Sequence, residues 1–359
     1  MCKDYKQVLR ELIETASPSG HEGNIAKRIM AELQRFTSDV RQDALGNVIA
    51  CIRGSSSSED MRKPKVLLAA HMDEIGLMVS KIETGGFLRV TQLGGFDPRT
   101  LLGQEVVVHG KRQFSGVIGS KPPHLSAQKE REQAILLTDV FIDLGVSEAL
   151  VRECVAIGDL VTIARQAVPL LGDRMAGKSL DNRSSIVAVL ECLQELQRLQ
   201  VQADVYAVAT VQEEVTMVGA FAGTFGIRPD LGIAVDVCHA AMPGVAKDLT
   251  AELHGGPAIA FGPNIHGKVF RRLIDTAQKQ RIPFQIRTTQ GPTPTDARAI
   301  QITAEGHATG LVSIPLRYMH TSVEVIDYRD VQLAGVLLAS FIASCDKAFV
   351  EGLTCYLDS

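Results

Sequence analysis

The sequence predicts an α/β fold in which an α/β/α domain is interrupted by an inserted small β-barrel. Patterns of amphipathic helices and apolar strands occupy the chain up to residue 73 and return near residue 177. Between them, residues 75–165 contain short β-rich runs broken by glycines and prolines. A chain of 359 residues suits about two domains. We therefore expect the α/β/α domain at residues 1–73 and 168–359, and the inserted barrel at residues 74–167.

The first part begins with two predicted helices. Residues 7–14 and 23–36 carry apolar side chains at helical spacing. Residues 47–52 are typical of a strand, and the serine-rich stretch 54–60 predicts a flexible hairpin connection to the next strand, at residues 66–70.

The same patterns predict the strands of the insert and the strands and helices of the second part. Barrel strands are predicted at residues 88–90, 105–108, 116–118, 134–137 and 160–163, and the polar stretch 120–132 predicts a mobile loop. In the second part, apolar side chains predict a helix around residues 186–196 and helices at 296–305 and 328–349. Strands are predicted at residues 205–211, 231–235 and 311–315.

Composition and charge limit the possible partners. A net charge of −4 and a pI near 6.2 provide no basic field for nucleic acid or anionic lipid. The N-terminus is charged where a signal peptide would be apolar, and no apolar run is long enough to span a bilayer. We therefore expect a cytoplasmic protein that binds neither nucleic acid nor membrane. The seven cysteines are scattered without a C-x-x-C pair, which favours free thiols.

Metal-capable side chains stand at the ends of predicted strands or in the adjoining loops. His71 ends the strand at residues 66–70, and Asp73 can accept the second N–H of the imidazole and orient the ring. The other positions of this kind are Asp181, Glu213, Glu214, Asp236 and His320. Each alone fits an ordinary cap or turn residue, but together they indicate a metal site. The other histidines fit polar surface or core groups, His239 least well because it is close to Asp236.

Two imidazoles and three or four carboxylates are more ligands than one tetrahedral zinc ion can use. A pair of metals about 3.5–4 Å apart, bridged by one carboxylate and a water, would use them all. One carboxylate must stay unligated to act as a general base, which would explain the adjacent pair Glu213 and Glu214.

The chain carries the motifs HMDEIG at residues 71–76, LDNR at 180–183, VQEEV at 211–215, TDA at 295–297 and HTSVE at 320–324, together with Asp236. These motifs resemble those of the tetrahedral (TET-type) dinuclear metallo-aminopeptidases, a family that includes glutamyl aminopeptidases and proteins once labelled endoglucanases. The similarity continues through the insert at residues 91–95 and 119–124, so it covers nearly the whole chain.

The resemblance implies an α/β/α zinc-peptidase domain, a barrel that drives dimerisation, and six dimers that form a hollow tetrahedral dodecamer acting on peptides. It also implies two divalent cations per subunit, zinc with cobalt or manganese as alternatives. Asp181 would bridge them, His71 and Asp236 would complete one site, and Glu214 and His320 the other.

By the same resemblance, Glu213 would be the general base. The chain departs from the family directly after its two glutamates. The family usually has a small residue and often an arginine after Val215, whereas this chain has Thr216, Met217 and Val218. The departure bears on substrate preference and assembly contacts rather than on hydrolysis.

We therefore expect an aminopeptidase, and weigh it against three alternatives. A glycosidase would use Glu213 and Glu214, but neighbours on an extended strand point to opposite faces, and the histidines would stay unexplained. A related metallo-deacylase or carboxypeptidase would use the same ligands, but its extra domain generally follows the glutamate pair, whereas here the long interval separates Asp73 from Asp181. The intact ligand set argues against a non-catalytic assembly protein.

Overall fold

A computed structural model describes residues 3–55, 62–125, 133–353 and 356. Its α-helices are α1 (Tyr5–Ile13), α2 (Gly23–Leu33), α3 (Glu148–Cys154), α4 (Leu180–Leu196), α5 (Val218–Ile227), α6 (Gly267–Gln280), α7 (Asp296–Ile302), α8 (Tyr328–Ala343) and α9 (Lys347–Glu351). The strands before α4 are β1 (Val40–Gln42), β2 (Val48–Ile52), β3 (Lys65–His71), β4 (Gly76–Ile82), β5 (Leu88–Leu93), β6 (Glu105–His109), β7 (Gln113–Ser120), β8 (Val140–Asp143), β9 (Leu160–Ile163), β10 (Val168–Pro169) and β11 (Arg174–Gly177). The later strands are β12 (Asp204–Thr210), β13 (Leu231–His239), β14 (Ala258–Phe261), β15 (Gln285–Thr288), β16 (Ala308–Arg317) and β17 (Glu324–Asp327).

An eleven-stranded mixed sheet organises the larger layer. Its order is β1-β2-β12-β3-β13-β16-β17-β11-β10, and β14 and β15 extend it beside β16. Strand β3 lies between two parallel partners, β12 and β13. A parallel strand covered on both faces is apolar throughout, which explains the unbroken run at residues 66–70.

Helices cover both faces of this sheet. Val66, Leu68 and Ala70 of β3 join the core formed with α1, α2, α4 and α8. The intervening Leu67 and Ala69 pack on the opposite side, in a cluster that includes residues of α5 and α7. Alternate side chains of one strand thus serve two helical layers, and the predicted α/β/α arrangement is confirmed.

The second sheet closes on itself as a barrel with the order β4-β5-β8-β7-β6-β9. Its interior is a separate apolar cluster that includes Leu77, Val79, Val106 and Ile142. The chain enters the barrel at Gly76, directly after β3, and leaves it at Ile163, before β10, β11 and α4. The predicted inserted barrel is therefore confirmed, while the boundaries at residues 74 and 167 stay a prediction.

Several local predictions differ from the structure. Strands β2 and β3 do not form a hairpin, because β12 lies between them and pairs with both. Residues 134–137 form no strand, and the predicted helix 328–349 ends at Ala343 before the short α9. Residues 56–60 of the predicted hairpin connection and residues 126–132 of the predicted mobile loop lie outside the described residues. No helix in the described ranges is long and apolar enough to cross a membrane.

Asn47 fixes the chain at the end of β12. The residue is fully buried. Its Oδ1 accepts the N–H of Val211 at 3.0 Å, and its Nδ2 donates to the carbonyl oxygen of Gly219 at 2.9 Å. Asn47 therefore holds both ends of the segment that carries Glu213 and Glu214.

Replacing Asn47 by alanine should lower the free energy of unfolding by about 2–4 kcal/mol, because two buried backbone groups would lose their partners. Chemical denaturation followed by circular dichroism would measure the change. Asn24→Ala, at an exposed position of α2, is the matched control and should shift the value by less than about 0.5 kcal/mol. Equal effects of the two substitutions would contradict this role of Asn47.

Candidate metal and catalytic site

Imidazole and carboxylate groups meet at the carboxyl end of the central parallel strands, the edge at which α/β sheets usually bind ligands. The residues are His71 at the end of β3, Asp181 in the first turn of α4, Glu213 and Glu214 in the turn after β12, Asp236 in β13 and His320 after β16. The structure therefore brings together every metal-capable residue that the sequence singles out.

The carboxylate of Asp181 lies between the two imidazoles. Its Oδ1 is 3.2 Å from Nε2 of His71, and its Oδ2 is 3.4 Å from Nε2 of His320. Glu214 Oε2 lies 3.4 Å from the same nitrogen of His320, and Asp236 Oδ1 lies 4.0 Å from Nε2 of His71. These side chains form two groups that share Asp181. The first contains His71, Asp181 and Asp236, and the second contains Asp181, Glu214 and His320. Within each group the ligand atoms lie within 4.8 Å of one another.

Glu324 fixes the backbone on both sides of this arrangement. It is buried, and it accepts the N–H of Asp181 at 3.1 Å and the N–H of His320 at 2.9 Å. Asp181 has non-helical backbone angles (φ −78°, ψ 101°) although it lies in the first turn of α4. Its N–H is therefore satisfied by a side chain from β17 rather than by the helix.

Asp73 links His71 to the glutamate pair. Its Oδ1 lies 3.4 Å from Nδ1 of His71, where the sequence predicts an orienting carboxylate. The same carboxylate accepts the backbone N–H groups of Glu213 and Glu214, each at 3.1 Å. One buried side chain therefore holds both the imidazole and the turn that follows β12.

The electrostatics of the cluster are dominated by burial. Burial, and then the charge of Asp181, raises the pKa of Glu214 to about 8, and burial also raises the pKa of Asp236 to about 8. Burial raises the pKa of Glu213 well above its ordinary value. For His320, burial acts to lower the pKa, but the hydrogen bond with Asp181 and the charges of the surrounding carboxylates together outweigh it, and the pKa is about 9. At neutral pH these three carboxyl groups and the imidazole therefore hold protons more strongly than the same groups do in water.

The pKa of Asp181 shifts in the opposite direction. Burial disfavours its ionised form, but the hydrogen bonds with His320 and His71 and the charges of these two imidazoles together outweigh burial and hold its pKa well below the ordinary range. Asp181 is therefore an anion between two imidazoles.

This donor set fits divalent cations. Imidazole nitrogens and carboxylate oxygens are ligands of zinc, cobalt and manganese. Buried carboxylates are costly without positive charge, and cations in the two groups would supply that charge and displace the protons. Among the described residues, no further group of three such side chains has this geometry.

A cavity of about 370 Å³ opens onto the cluster. Besides the cluster, its wall includes His239, Arg287, Thr289, Ser313 and Met319. His239 is exposed and lies in this wall, so it is a polar surface residue close to the cluster.

Two further differences concern the acidic residues. Glu213 and Glu214 lie in a turn that begins at Gln212, whose φ is 55°, and not on an extended strand. Both side chains reach the cluster, with Glu213 Oε2 3.7 Å from Nε2 of His71, so the argument from opposite strand faces is wrong. Asp236 lies inside β13 and not after it, because β13 continues beside β16 to His239.

A buried network beneath the cluster is absent from the residues predicted from the sequence. Glu74 accepts hydrogen bonds from the side chains of Lys178 and Ser179 and from the backbone N–H of Ser17, the last at 2.8 Å. Arg183 is fully buried and donates to the hydroxyl of Ser17. The available signal was the position of these charged residues beside Asp73 and Asp181.

Comparisons with known proteins agree with this site. A family model described as M42 glutamyl aminopeptidase matches residues 46–337. The lysyl aminopeptidase of Pyrococcus furiosus is 38% identical over 330 residues, which cover 90% of this chain and 93% of that protein. An aminopeptidase structure from the archaeon Desulfurococcus kamchatkensis has a TM-score of 0.90 at 38% identity and covers 98% of both chains.

A third relative is the TET1 peptidase of Pyrococcus horikoshii, described as able to assemble into a tetrahedron or a large octahedral shell. Its structure has a TM-score of 0.81 at 30% identity and covers 94% of this chain and 98% of that one. The matching family model, these relatives and the buried cluster of histidines and carboxylates lead to one conclusion: the chain is a metallo-aminopeptidase and belongs to the M42 glutamyl aminopeptidase (TET) family.

Proposed function

We propose that this enzyme removes N-terminal residues from peptides at a site that holds two divalent cations. The observation that carries the proposal is the carboxylate of Asp181, whose two oxygens face different imidazoles at 3.2 and 3.4 Å. Asp181 is the shared ligand in this proposal. His71 and Asp236 complete one site, and Glu214 and His320 complete the other.

Zinc is the proposed metal, with cobalt or manganese as alternatives, since mixed imidazole and carboxylate sites accept all three. When bound, such a pair of ions supplies a water of lowered pKa and polarises the carbonyl group of the scissile bond.

We assign Glu213 as the general base. It is buried beside the cluster but belongs to neither ligand group, so its oxygens stay free to accept a proton. Burial raises its pKa, which allows it to hold a proton taken from water until the leaving amine accepts it. Asp73 is a positioning residue, because it faces Nδ1 of His71 and accepts the N–H of Glu213.

We also propose that residues 74–167 form a dimerisation domain and that dimers assemble into a tetrahedral dodecamer. The description of the TET1 peptidase of Pyrococcus horikoshii as assembling into a tetrahedron supports this assembly. The cytoplasmic location stays a prediction. The preferred first residue does not follow from membership, since the family is described as glutamyl and one relative is named a lysyl aminopeptidase.

Free short peptides should be hydrolysed by the protein loaded with zinc or cobalt, whereas the same peptides with an acetylated N-terminus should not. A chelator should abolish the activity, and added metal should restore it. Chromatography of the products would measure both series. Cleavage of the blocked peptides would instead indicate a deacylase or an endopeptidase.

Glu213→Gln should lower kcat on the order of 10²–10⁴-fold, because the variant loses its proton acceptor. Metal content, measured by mass spectrometry, should stay at the wild-type level. Glu153→Gln, at an exposed position of α3, is the matched control and should leave both values unchanged. A fully active Glu213→Gln variant would rule out this assignment of the base.

The chelated protein should lose thermal stability as the pH rises from 6 to 8. The folded chain raises the pKa of Asp236 and Glu214 from 3.8 and 4.5 to about 8, so it retains protons that the unfolded chain releases. Stability therefore falls as the pH rises toward about 8. The Tm of the metal-loaded protein should depend less on pH, since cations replace these protons. Parallel Tm curves for the chelated and loaded forms would contradict the proposed ligand set.

A further inference from the structure

Glu74 connects three segments of the chain beneath the cluster. Its Oε1 accepts the backbone N–H of Ser17 at 2.8 Å, and its Oε2 accepts hydrogen bonds from the side chains of Lys178 and Ser179. The backbone of Glu74 also donates to the carbonyl oxygen of Ser17 and accepts the N–H of Ser19, each at 3.1 Å. Glu74 therefore ties the link between β3 and β4 to the loop before α2 and to the link between β11 and α4.

Glu74 is ionised although it is buried. Burial acts to raise its pKa, but the charges of Lys178 and Arg183 and the hydrogen bonds from Lys178 and Ser179 together outweigh burial and lower the pKa. Lys178 is buried as well. In an interior of low dielectric constant, an ion pair that is also hydrogen-bonded is stronger than the same pair at a surface. The pair of Glu74 and Lys178 is therefore a fixed joint between the two segments that carry these residues.

Ser179 has an unusual backbone conformation at the start of α4. Its φ is 56°, in the left-handed region that residues other than glycine seldom adopt. A serine before a helix usually accepts an N–H of the first turn, but Ser179 makes no such bond, and its hydroxyl donates to Glu74 instead. The N–H of Asp181 is bound by Glu324. The contact with Glu74 therefore fixes the path of the chain into α4, two residues before Asp181.

The network lies next to the proposed ligands. Residues of the network and of the cluster line one small void of about 10 Å³, and they include Glu74, Lys178, Ser179, Asp181, Glu214 and Glu324. Glu74 also directly follows Asp73, which faces His71 and binds the turn of the two glutamates. The network is thus joined to the segment of His71 on one side and to the segment of Asp181 on the other.

We propose that Glu74 is a positioning residue that sets the place of Asp181 relative to His71, so that one carboxylate can serve two cations. The inference rests on the proposed function, since it concerns the site with two cations. A single cation can draw Asp181 toward itself, whereas a pair needs this carboxylate in one place that suits both. Loss of Glu74 should therefore weaken binding of the second cation more than binding of the first.

The test is a titration of the metal-free protein with cobalt, followed by calorimetry and by the visible absorption of the bound ion. The wild-type protein should bind two equivalents. In Glu74→Gln the second equivalent should bind about 10- to 100-fold more weakly, the usual effect of losing a group that orients metal ligands, with a smaller loss for the first. Because the ligands are intact, saturating cobalt should restore most of the hydrolysis.

The matched control is Glu32→Gln. Glu32 lies in α2 and also pairs with a lysine, Lys3, but neither residue belongs to the network or to the cluster. This substitution removes a carboxylate charge and breaks a lysine pair, as Glu74→Gln does. It should leave the affinity for both equivalents of cobalt unchanged.

A milder variant accompanies these two, because removing one partner of a buried ion pair can unfold a protein. Ser179→Ala removes one hydroxyl group and leaves the pair of Glu74 and Lys178 in place. It changes no charge, so it separates positioning from repulsion between cobalt and an unpaired Lys178. The second equivalent should bind about 3- to 10-fold more weakly, the value of one hydrogen bond, and the first as in the wild type.

Two results would overturn the proposal. The first is an unchanged affinity for both equivalents in Glu74→Gln and Ser179→Ala. The second is an equal weakening of both equivalents in Ser179→Ala, which would indicate a general structural role. If Glu74→Gln does not fold, the titration of Ser179→Ala decides. A wild-type protein that binds only one equivalent of cobalt would refute the proposed site with two cations itself.

Discussion

The position of one carboxylate constrains the whole site. Asp181 has to face two imidazoles that come from distant parts of the chain, so the backbone at each of them must be held in place. Buried acceptors do this, because Glu324 binds the N–H groups of Asp181 and His320, while Asp73 faces His71 and binds the turn of the two glutamates. Each such carboxylate is costly to bury alone, and it is tolerated because it is hydrogen-bonded to backbone donors.

The sheet supplies the frame for this arrangement through strands of unequal length. Strand β3 ends at His71, and its pairing with β13 stops at Ala234. Strand β13 continues beside β16 for several more residues, as far as His239. The longer strand therefore places Asp236 beyond its last pair with β3, where its side chain can approach His71. The cavity opens where this pairing stops.

Two features could be predicted from sequence because their signals are local. They are the central strands and the histidines and carboxylates that are candidate ligands. A buried parallel strand has an unbroken apolar run, and a polar residue at its end stands out. The pairing of β12 between β2 and β3 has no local signal, so the sequence predicts a hairpin at the serine-rich connection. The position of Glu74 beside Asp73 is a weak signal, because its burial depends on Lys178 and Ser17, which are distant in sequence. Arg287 lies on a short edge strand whose alternating burial gives little apolar pattern.

The points at which the barrel joins the larger layer have a mechanical consequence. The chain passes from His71 and Asp73 into the first barrel strand within a few residues, and Gly76 packs so closely on Pro18 that a Cβ there would lie 2.8 Å from the proline side chain. The return path runs through β10 and β11 directly to Lys178 and Asp181. The entering connection is short and packed, whereas residues 164–174 of the returning one are almost all exposed. A rotation of the barrel would therefore act on His71 and Asp73 through the short entry, while the exposed return path would let Asp181 keep its place.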